Sequence, residues 1–434
     1  MDYLQAIHAG ANDPKALEDL YQAARRERHA GEFAADMRVC YQESPGNILY
    51  AAWFYRLSQP DQAESRSINW QAAVPLAAIV GLIFAVLARS PFSVARHAPF
   101  LMYAWPAIGA CFIVAFLTIT ARQDQKRAWS VIAGLIACTA YAAYAALFIT
   151  LTHREQYELL MVLHLPLLAW IGTGAYVLGM RPDARNRFAF LIKSVEVFVT
   201  GGLYTLAGGI FAAITFGLFQ AIGVQIPTEA QQSLVAGGGG LITLLAVASV
   251  YDPHLQPIEQ AFEQGLGRLI PTLTRLLLPL TLIVLAVYLL AIPFNFMQPF
   301  RNRDVLIVYN AGLFAVMALL VGVTPVREQD LAPKYHRVLR AGILAVAILA
   351  ALISLYALSA TVYRTALGGF TANRVAVIGW NTINIGLLAA LIFKQLKDGS
   401  AAWIRSAQSV FSGATVAYTG WTLFLIVATP LLFK

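Results

Sequence analysis

From residue 70 onward the chain is built of apolar runs about twenty residues long, each able to cross the ~30 Å of hydrocarbon in a bilayer as one helix. Eleven such runs fall near residues 70–88, 99–121, 129–151, 158–180, 200–224, 232–250, 272–296, 305–324, 341–360, 375–393 and 413–432. Lipid offers no water to a backbone N–H or C=O, so runs of this length close their hydrogen bonds within helices. The fold class that follows is all-α: a polytopic transmembrane helix bundle of about 11 spans, preceded by a small cytosolic helical domain. With 59% hydrophobic and 12% charged residues and a mean hydropathy of +0.63, the 434-residue chain carries more apolar surface than a soluble core of that length requires.

Loop charge sets the orientation, because Lys and Arg beside spans are retained in the cytoplasm. Loops on the side of the N-terminus hold 23 of the 31 Lys and Arg, and the opposite loops hold 8. The N-terminus is therefore expected inside and the C-terminus outside. Net charge is +8, yet residues 1–70 sum to −3, so the basicity belongs to membrane loops and points to no nucleic-acid surface. The polar start Met1-Asp2-Tyr3 lacks a basic region followed by an apolar one, and no cleaved signal peptide is expected. Cys40, Cys111 and Cys138 are scattered and suggest neither a disulfide framework nor a metal cluster.

Two domains are expected, 1–66 and 67–434. In the first, Asp13-Pro14 starts a helix through Leu17, Leu20 and Ala24, and Gly31 precedes a second over Phe33–Tyr41. Ser44-Pro45-Gly46-Asn47 breaks the chain before a third, Ile48–Leu57. Gly31, Pro45 and the Tyr50–Trp53 stretch resemble one tetratricopeptide unit with too short a spacing, which leaves an ordinary helical hairpin as the simpler reading. Residues 58–69 read as a polar linker. In the second domain, apolar residues repeat at helical spacing from Ile258 to Ile270, and again from Trp403 to Phe411. Interfacial amphipathic helices are therefore expected near 257–270 and 400–412.

Inside the spans the informative residues are polar. All eleven Asp lie outside the apolar runs, and of twelve Glu only Glu196 and the span-edge Glu158 approach the membrane. Ion-coupled transporters generally use an intramembrane acid, so this lowers the case for one. The apolar stretch 188–224 is too long for one crossing, which predicts an interfacial turn over 188–199 with Lys193 and Glu196 paired on one face. Gly237, Gly238, Gly239 and Gly240 either pack against a neighbouring backbone or unwind their helix to line a site. Asn381 and Asn384 share a helix face near mid-depth, Asn310 adds an amide, and Asn295 lies near a span end. His164 is the histidine deepest in a span, expected to bond a carbonyl freed by Pro166. These ten residues are the binding candidates: Asn310, Asn381, Asn384, His164, Lys193, Glu196 and Gly237 through Gly240.

No phosphate-binding loop, zinc-protease motif, nucleophile elbow or zinc-spaced Cys pair occurs, so no catalytic residue, metal or cofactor is expected. Thr371-Ala372-Asn373-Arg374 leading into Val377-Ile378-Gly379-Trp380-Asn381, the Arg275–Leu280 start of the seventh span and the closing Tyr418–Pro430 stretch form a further pattern. Over about residues 70–434 it resembles the bacterial multi-span membrane proteins of the domain of unknown function 4153 family. That resemblance implies a helical bundle in the inner membrane and no known chemistry.

Two functions remain open. One is a permease or channel-like transporter for a neutral or zwitterionic solute, with a pathway among the fifth, sixth, eighth and tenth spans. The other is a non-transporting scaffold or sensor whose residues 1–66 bind a cytosolic protein through a groove lined by Leu17, Leu20, Tyr50 or Trp53. The bilayer is a partner in both, and the sequence leaves the oligomeric state open.

Overall fold

The computed structural model describes residues 3–26, 29–58, 68–89, 100–121, 124–149, 151, 154–179 and 182–433. Most of the expected linker, 59–67, lies outside them. The chain divides into two units, Met1–Ser67 and Ile68–Lys434.

The first unit has four helices: α1 (Tyr3–Ala9), α2 (Pro14–Arg26), α3 (Ala30–Glu43) and α4 (Ile48–Ser58). Asp13 starts α2 because its Oδ1 accepts the N–H groups of Lys15 and Ala16 at 2.9 and 3.2 Å. Asn47 starts α4 likewise, accepting from Leu49 and Tyr50 at 2.9 and 3.3 Å. The short α1 was not expected. Its Tyr3 and Ile7 join Leu17, Tyr21, Phe33, Met37, Tyr50 and Trp53 in one core. This corrects the expected partner groove: Leu17, Tyr50 and Trp53 are the interior of the unit, and Leu20 packs half-buried against it. Among the described residues of this unit the exposed large apolar side chains are instead Val39, Ile48 and Tyr55.

The second unit continues as α5 (Trp70–Leu87), α6 (Phe100–Ala121), α7 (Gln125–Phe148), α8 (Arg154–Leu178), α9 (Ala184–Ala221), α10 (Thr228–Val250), α11 (Leu266–Ala291), α12 (Gln298–Arg301), α13 (Arg303–Val323), α14 (Pro333–Gly368), α15 (Ala372–Lys397) and α16 (Trp403–Leu432). Apart from the one-turn α12, these make eleven helices long and apolar enough to span a membrane among the described residues, and the chain is an all-α integral membrane protein. With alternating crossings, α5, α7, α9, α11, α14 and α16 begin at one membrane end, here the proximal end. The other spans begin at the distal end.

Three local expectations need correction. First, residues 188–199 form no separate turn, for α9 is one helix of 38 residues, about 57 Å long. No proline interrupts it. Its first half is held by neighbours, with Phe188, Ala189, Ile192, Lys193 and Glu196 buried, so nothing forces the chain to turn before crossing. Second, residues 257–270 are not an interfacial helix. Pro257–Glu259 is a single 3-10 turn, and α11 starts only at Leu266, after Gly265 at φ +54. The loop is pressed into the bundle: buried Gln260 accepts from the Asp252 N–H at 3.0 Å and donates to the Asp252 and Leu255 carbonyls at 2.8 and 3.2 Å. Third, residues 403–412 are simply the first turns of the 30-residue α16, with Trp403, Ile404, Ala407, Val410 and Phe411 in the core.

The glycine run stays helical. Gly237–Gly240 lie within the unbroken α10, and Gly237 and Gly240 meet Gly81 of α5 backbone to backbone. The choice left by the sequence thus falls to close packing, and the four glycines line no unwound site.

Candidate functional site

Of the mid-depth polar residues, His164 and Asn384 sit where α8, α15 and α16 meet. His164 on α8 donates from Nδ1 to the Leu160 carbonyl at 2.7 Å and accepts at Nε2 from the Trp380 indole N–H at 3.0 Å. A carbonyl only accepts and an indole N–H only donates, so these bonds fix a neutral imidazole with its proton on Nδ1. The carbonyl is not the one Pro166 frees, which belongs to Val162 four residues earlier. With both nitrogens engaged, His164 positions Trp380 and offers no metal ligand. No group of three His, Cys, Asp or Glu fit to hold a metal occurs among the described residues.

Asn381 and Asn384 part company in the tertiary structure. Three residues along an α-helix leave about 60° between side chains, enough to direct them to different neighbours. Asn384 is fully buried and accepts from the Tyr418 hydroxyl on α16, whose ring also meets Trp380 edge-on at 5.1 Å. Its role is to join α15 to α16. A double-mutant cycle of Asn384→Leu and Tyr418→Phe is expected to give a coupling of about 0.6–1.7 kcal/mol in thermal or denaturant unfolding, the range found for such bonds in membranes. Additive effects would show that the two residues act separately.

Asn381 faces the other way, into a cavity of 570 Å³ between α11, α13 and α14. The walls are mainly apolar, among them Leu280, Val284, Val308, Val316 and Ile353, with Thr281, Tyr288, Tyr309, Ser354 and Asn381 as the polar lining. Asn381 is 3% exposed, and its Nδ2, like that of Asn384, is sealed from solvent and has no hydrogen-bond partner among the described residues. The hydroxyls of Tyr288 and Tyr309 bond to each other at the distal side. Beyond them Phe296, Phe300, Tyr356 and Tyr363 form a contiguous aromatic group. Asn310 is half-buried and not among the lining residues, which include its neighbour Tyr309 instead. Asn295 is exposed at the end of a 3-10 turn.

At the proximal end of the same helix seam lies a second cavity, of 510 Å³, with charged walls from Glu263, Arg268, Arg275 and Asp330. Buried Arg275 Nε and Asp330 Oδ1 have no hydrogen-bond partner among the described residues. Burial pushes the Asp330 carboxyl above its ordinary range, opposed by the Arg327 N–H bonded to its Oδ2 at 2.8 Å and by the Arg327 charge. Neither Arg275 nor Asp330 was among the binding candidates expected from the sequence, since one sits at a span edge and the other in a short loop.

The two cavities are separated by a thin apolar layer. From Arg275 to Leu280 the axial rise of α11 is about 8 Å. Within that interval Leu278 packs on Gly342 of α14, and just before it Thr274 packs on Gly322 of α13. Met317, Leu320, Ile343, Val346 and Ala347 complete the layer as part of the main core. Within α11, Pro279 lies inside this layer and Pro271 about one turn before it.

Lys193 and Glu196 form an ion pair at 2.7 Å, with side-chain exposures of 3% and 10%. Lys193 also donates to the Ala261 carbonyl and lies 4.8 Å from the centre of the Phe262 ring. Arg327 holds the same loop from its other side through the Ile258 and Gln260 carbonyls at 3.2 and 3.4 Å. The pair is thus a clamp on the 251–265 loop beside the charged cavity. No protein-family model matches the chain, and neither the curated proteins nor the solved structures contain a match to it.

Proposed function

We propose that the bundle is a permease for an amphiphilic solute with an apolar body and a zwitterionic head, using the seam of α11, α13 and α14. The observation that carries this reading is the pair of cavities at opposite ends of one seam, a charged one of 510 Å³ and an apolar one of 570 Å³, parted by a thin layer. A closed carrier needs such a division: two chambers, and a barrier that small movements can open. Pro271, about one turn before the barrier, and Pro279, within it, each leave α11 short of one internal hydrogen bond, and those are natural places for it to bend. The pathway first expected, among the fifth, sixth, eighth and tenth spans, gives way to this one because α9 and α10 are continuous and Asn310 is not part of the cavity wall. The cytoplasmic assignment of the proximal end, the inner-membrane location and membership of the domain of unknown function 4153 family belong to the same proposal.

The test is movement of a phosphatidylcholine carrying a nitrobenzoxadiazole-labelled acyl chain across proteoliposomes, read by dithionite quenching. Wild-type protein should exceed protein-free vesicles, and Leu278→Ala should raise the rate several-fold by thinning the barrier. Because a buried Leu→Ala change costs about 2–5 kcal/mol, its folding is checked by thermal melting. Wild-type and empty vesicles that quench alike would remove transport of this class and favour the scaffold reading, whose surface would be the exposed Ile48 and Tyr55 of the first unit.

A further inference from the structure

The charged cavity at the proximal end is walled by four ionisable side chains that do not neutralise one another. Arg268 and Arg275 occupy positions i and i+7 of α11, so they share a face about 10 Å apart along its axis, with Thr272 between them. Across the 510 Å³ space Glu263 and Asp330 supply two carboxylates, and Asp330 lies within electrostatic reach of both Glu263 and Arg275. Charges withdrawn from water ordinarily close into pairs, as Lys193 and Glu196 do on the neighbouring helix. Among the described residues no ion pair joins any of these four.

Arg275 makes this separation costly. It stands at the proximal limit of the apolar stretch 276–296, where α11 passes from the headgroup layer into the ~30 Å of hydrocarbon. Its Nε is sealed from solvent without a partner, whereas its two Nη groups, also without an acceptor among the described residues, stay accessible at the cavity. A guanidinium half removed from water is stabilised by an anion brought to it. Lipid phosphates lie at this level of a bilayer, and basic pockets between spanning helices are where such head groups dock. Leu269, Leu273, Leu276 and Leu280, exposed on the adjoining face of α11, give an acyl chain a ridge to lie along.

A bare anion would face Glu263 and Asp330, so the wall favours a ligand that carries a cation as well. A quaternary ammonium is held by aromatic faces, and the one ring in the wall, Phe262, already meets Lys193 at 4.8 Å and Arg327 at 5.9 Å. A primary ammonium instead donates hydrogen bonds to carboxylates, and Glu263 is exposed at the cavity.

We infer that the charged cavity binds a phosphoethanolamine group, its phosphate held by Arg275 and attracted by Arg268, its ammonium held by Glu263. The group can arrive on a phosphatidylethanolamine or as a soluble phosphate ester. As the head-group preference of the transport proposed above, the inference rests on that reading. As a binding site it is tested by itself.

The experiment titrates the full-length protein in mild detergent with phosphatidylethanolamine, phosphatidylcholine and phosphatidylglycerol of identical chains, bound lipid being counted by native mass spectrometry. Phosphatidylethanolamine should be retained, and phosphatidylcholine, which has no ammonium N–H, several-fold less tightly. Arg275→Gln should lower phosphatidylethanolamine affinity about ten- to a hundredfold, the loss of a hydrogen bond to a charged group. Glu263→Gln, at an exposed position that leaves the core intact, should lower it several-fold while phosphatidylglycerol, which lacks an ammonium, binds as well as before or better. That opposite response is one a damaged fold does not give. Calorimetry with O-phosphoethanolamine tests the other source: heat from the soluble ester, lost in the same variants and without lipid retention, would uphold the site and make the ester its ligand. Equal retention of all three lipids in wild type and both variants, or parallel loss of phosphatidylethanolamine and phosphatidylglycerol in Glu263→Gln, would overturn the site, as would binding of neither probe. Retention that depends on Arg275 and Glu263 in a protein without flux would uphold the site while removing transport.

Discussion

Gly240→Val will part α5 from α10 and unfold much of that side of the bundle. A Cβ at position 240 would lie 2.9 Å from the Gly81 Cα and 2.9 Å from the Val80 carbonyl oxygen, and one at Gly81 would lie 2.9 Å from the Gly237 oxygen. All of these are backbone atoms, so no rotamer change relieves the overlap. Without a hydrophobic driving force between helices in lipid, such close approach is itself a main source of their association. The expected loss exceeds the ~1–3 kcal/mol of ordinary overpacking. It should appear as a collapse of monodisperse yield and a lowered melting transition in mild detergent. Gly239→Ala is the internal control: nothing lies within 4 Å of its added Cβ, so it should melt at or above the wild-type temperature, with up to about 1 kcal/mol gained in helix propensity. Equal melting of Gly240→Val and wild type would refute the packing role of the glycines.

Lys193→Met carries the second large effect. The change leaves the Glu196 carboxylate buried without the ammonium at 2.7 Å, and removing one member of a buried pair costs about 3–5 kcal/mol. The loop carbonyl of Ala261 loses its donor at the same time. The double variant Lys193→Met/Glu196→Leu removes both charges and should regain most of the loss, because well-packed apolar pairs often match buried ion pairs in stability. Denaturant unfolding of the two single variants and the double variant measures the coupling. If the double variant is as unstable as the sum of the singles, the pair does not act as a unit, and the 251–265 loop is held by Gln260 and Arg327 alone.

The sequence determined what depends on neighbours along the chain. Span length and hydropathy are local, so the eleven spanning helices and the starts at Asp13 and Asn47 could be read directly. The Lys193–Glu196 pair was legible for the same reason, since i and i+3 adjoin on any helix. Periodicity failed where two structures share one pattern. The spacing from Ile258 to Ile270 fits a helix lying on a membrane, yet here Phe262 and Ile270 are buried from a folded loop and from the following span. Only the tertiary structure could decide the rest. Whether Tyr309 or Asn310 faces the cavity is one residue, about 100° of rotation of α13, and packing against α11 and α14 fixes that angle. The separation of Asn381 from Asn384, the choice of Gly81 as partner of Gly237 and Gly240, and the two cavities along α11 arise the same way. Each depends on which faces meet among helices distant in the chain, and in lipid, where every face is apolar, hydrophobicity alone does not distinguish those faces.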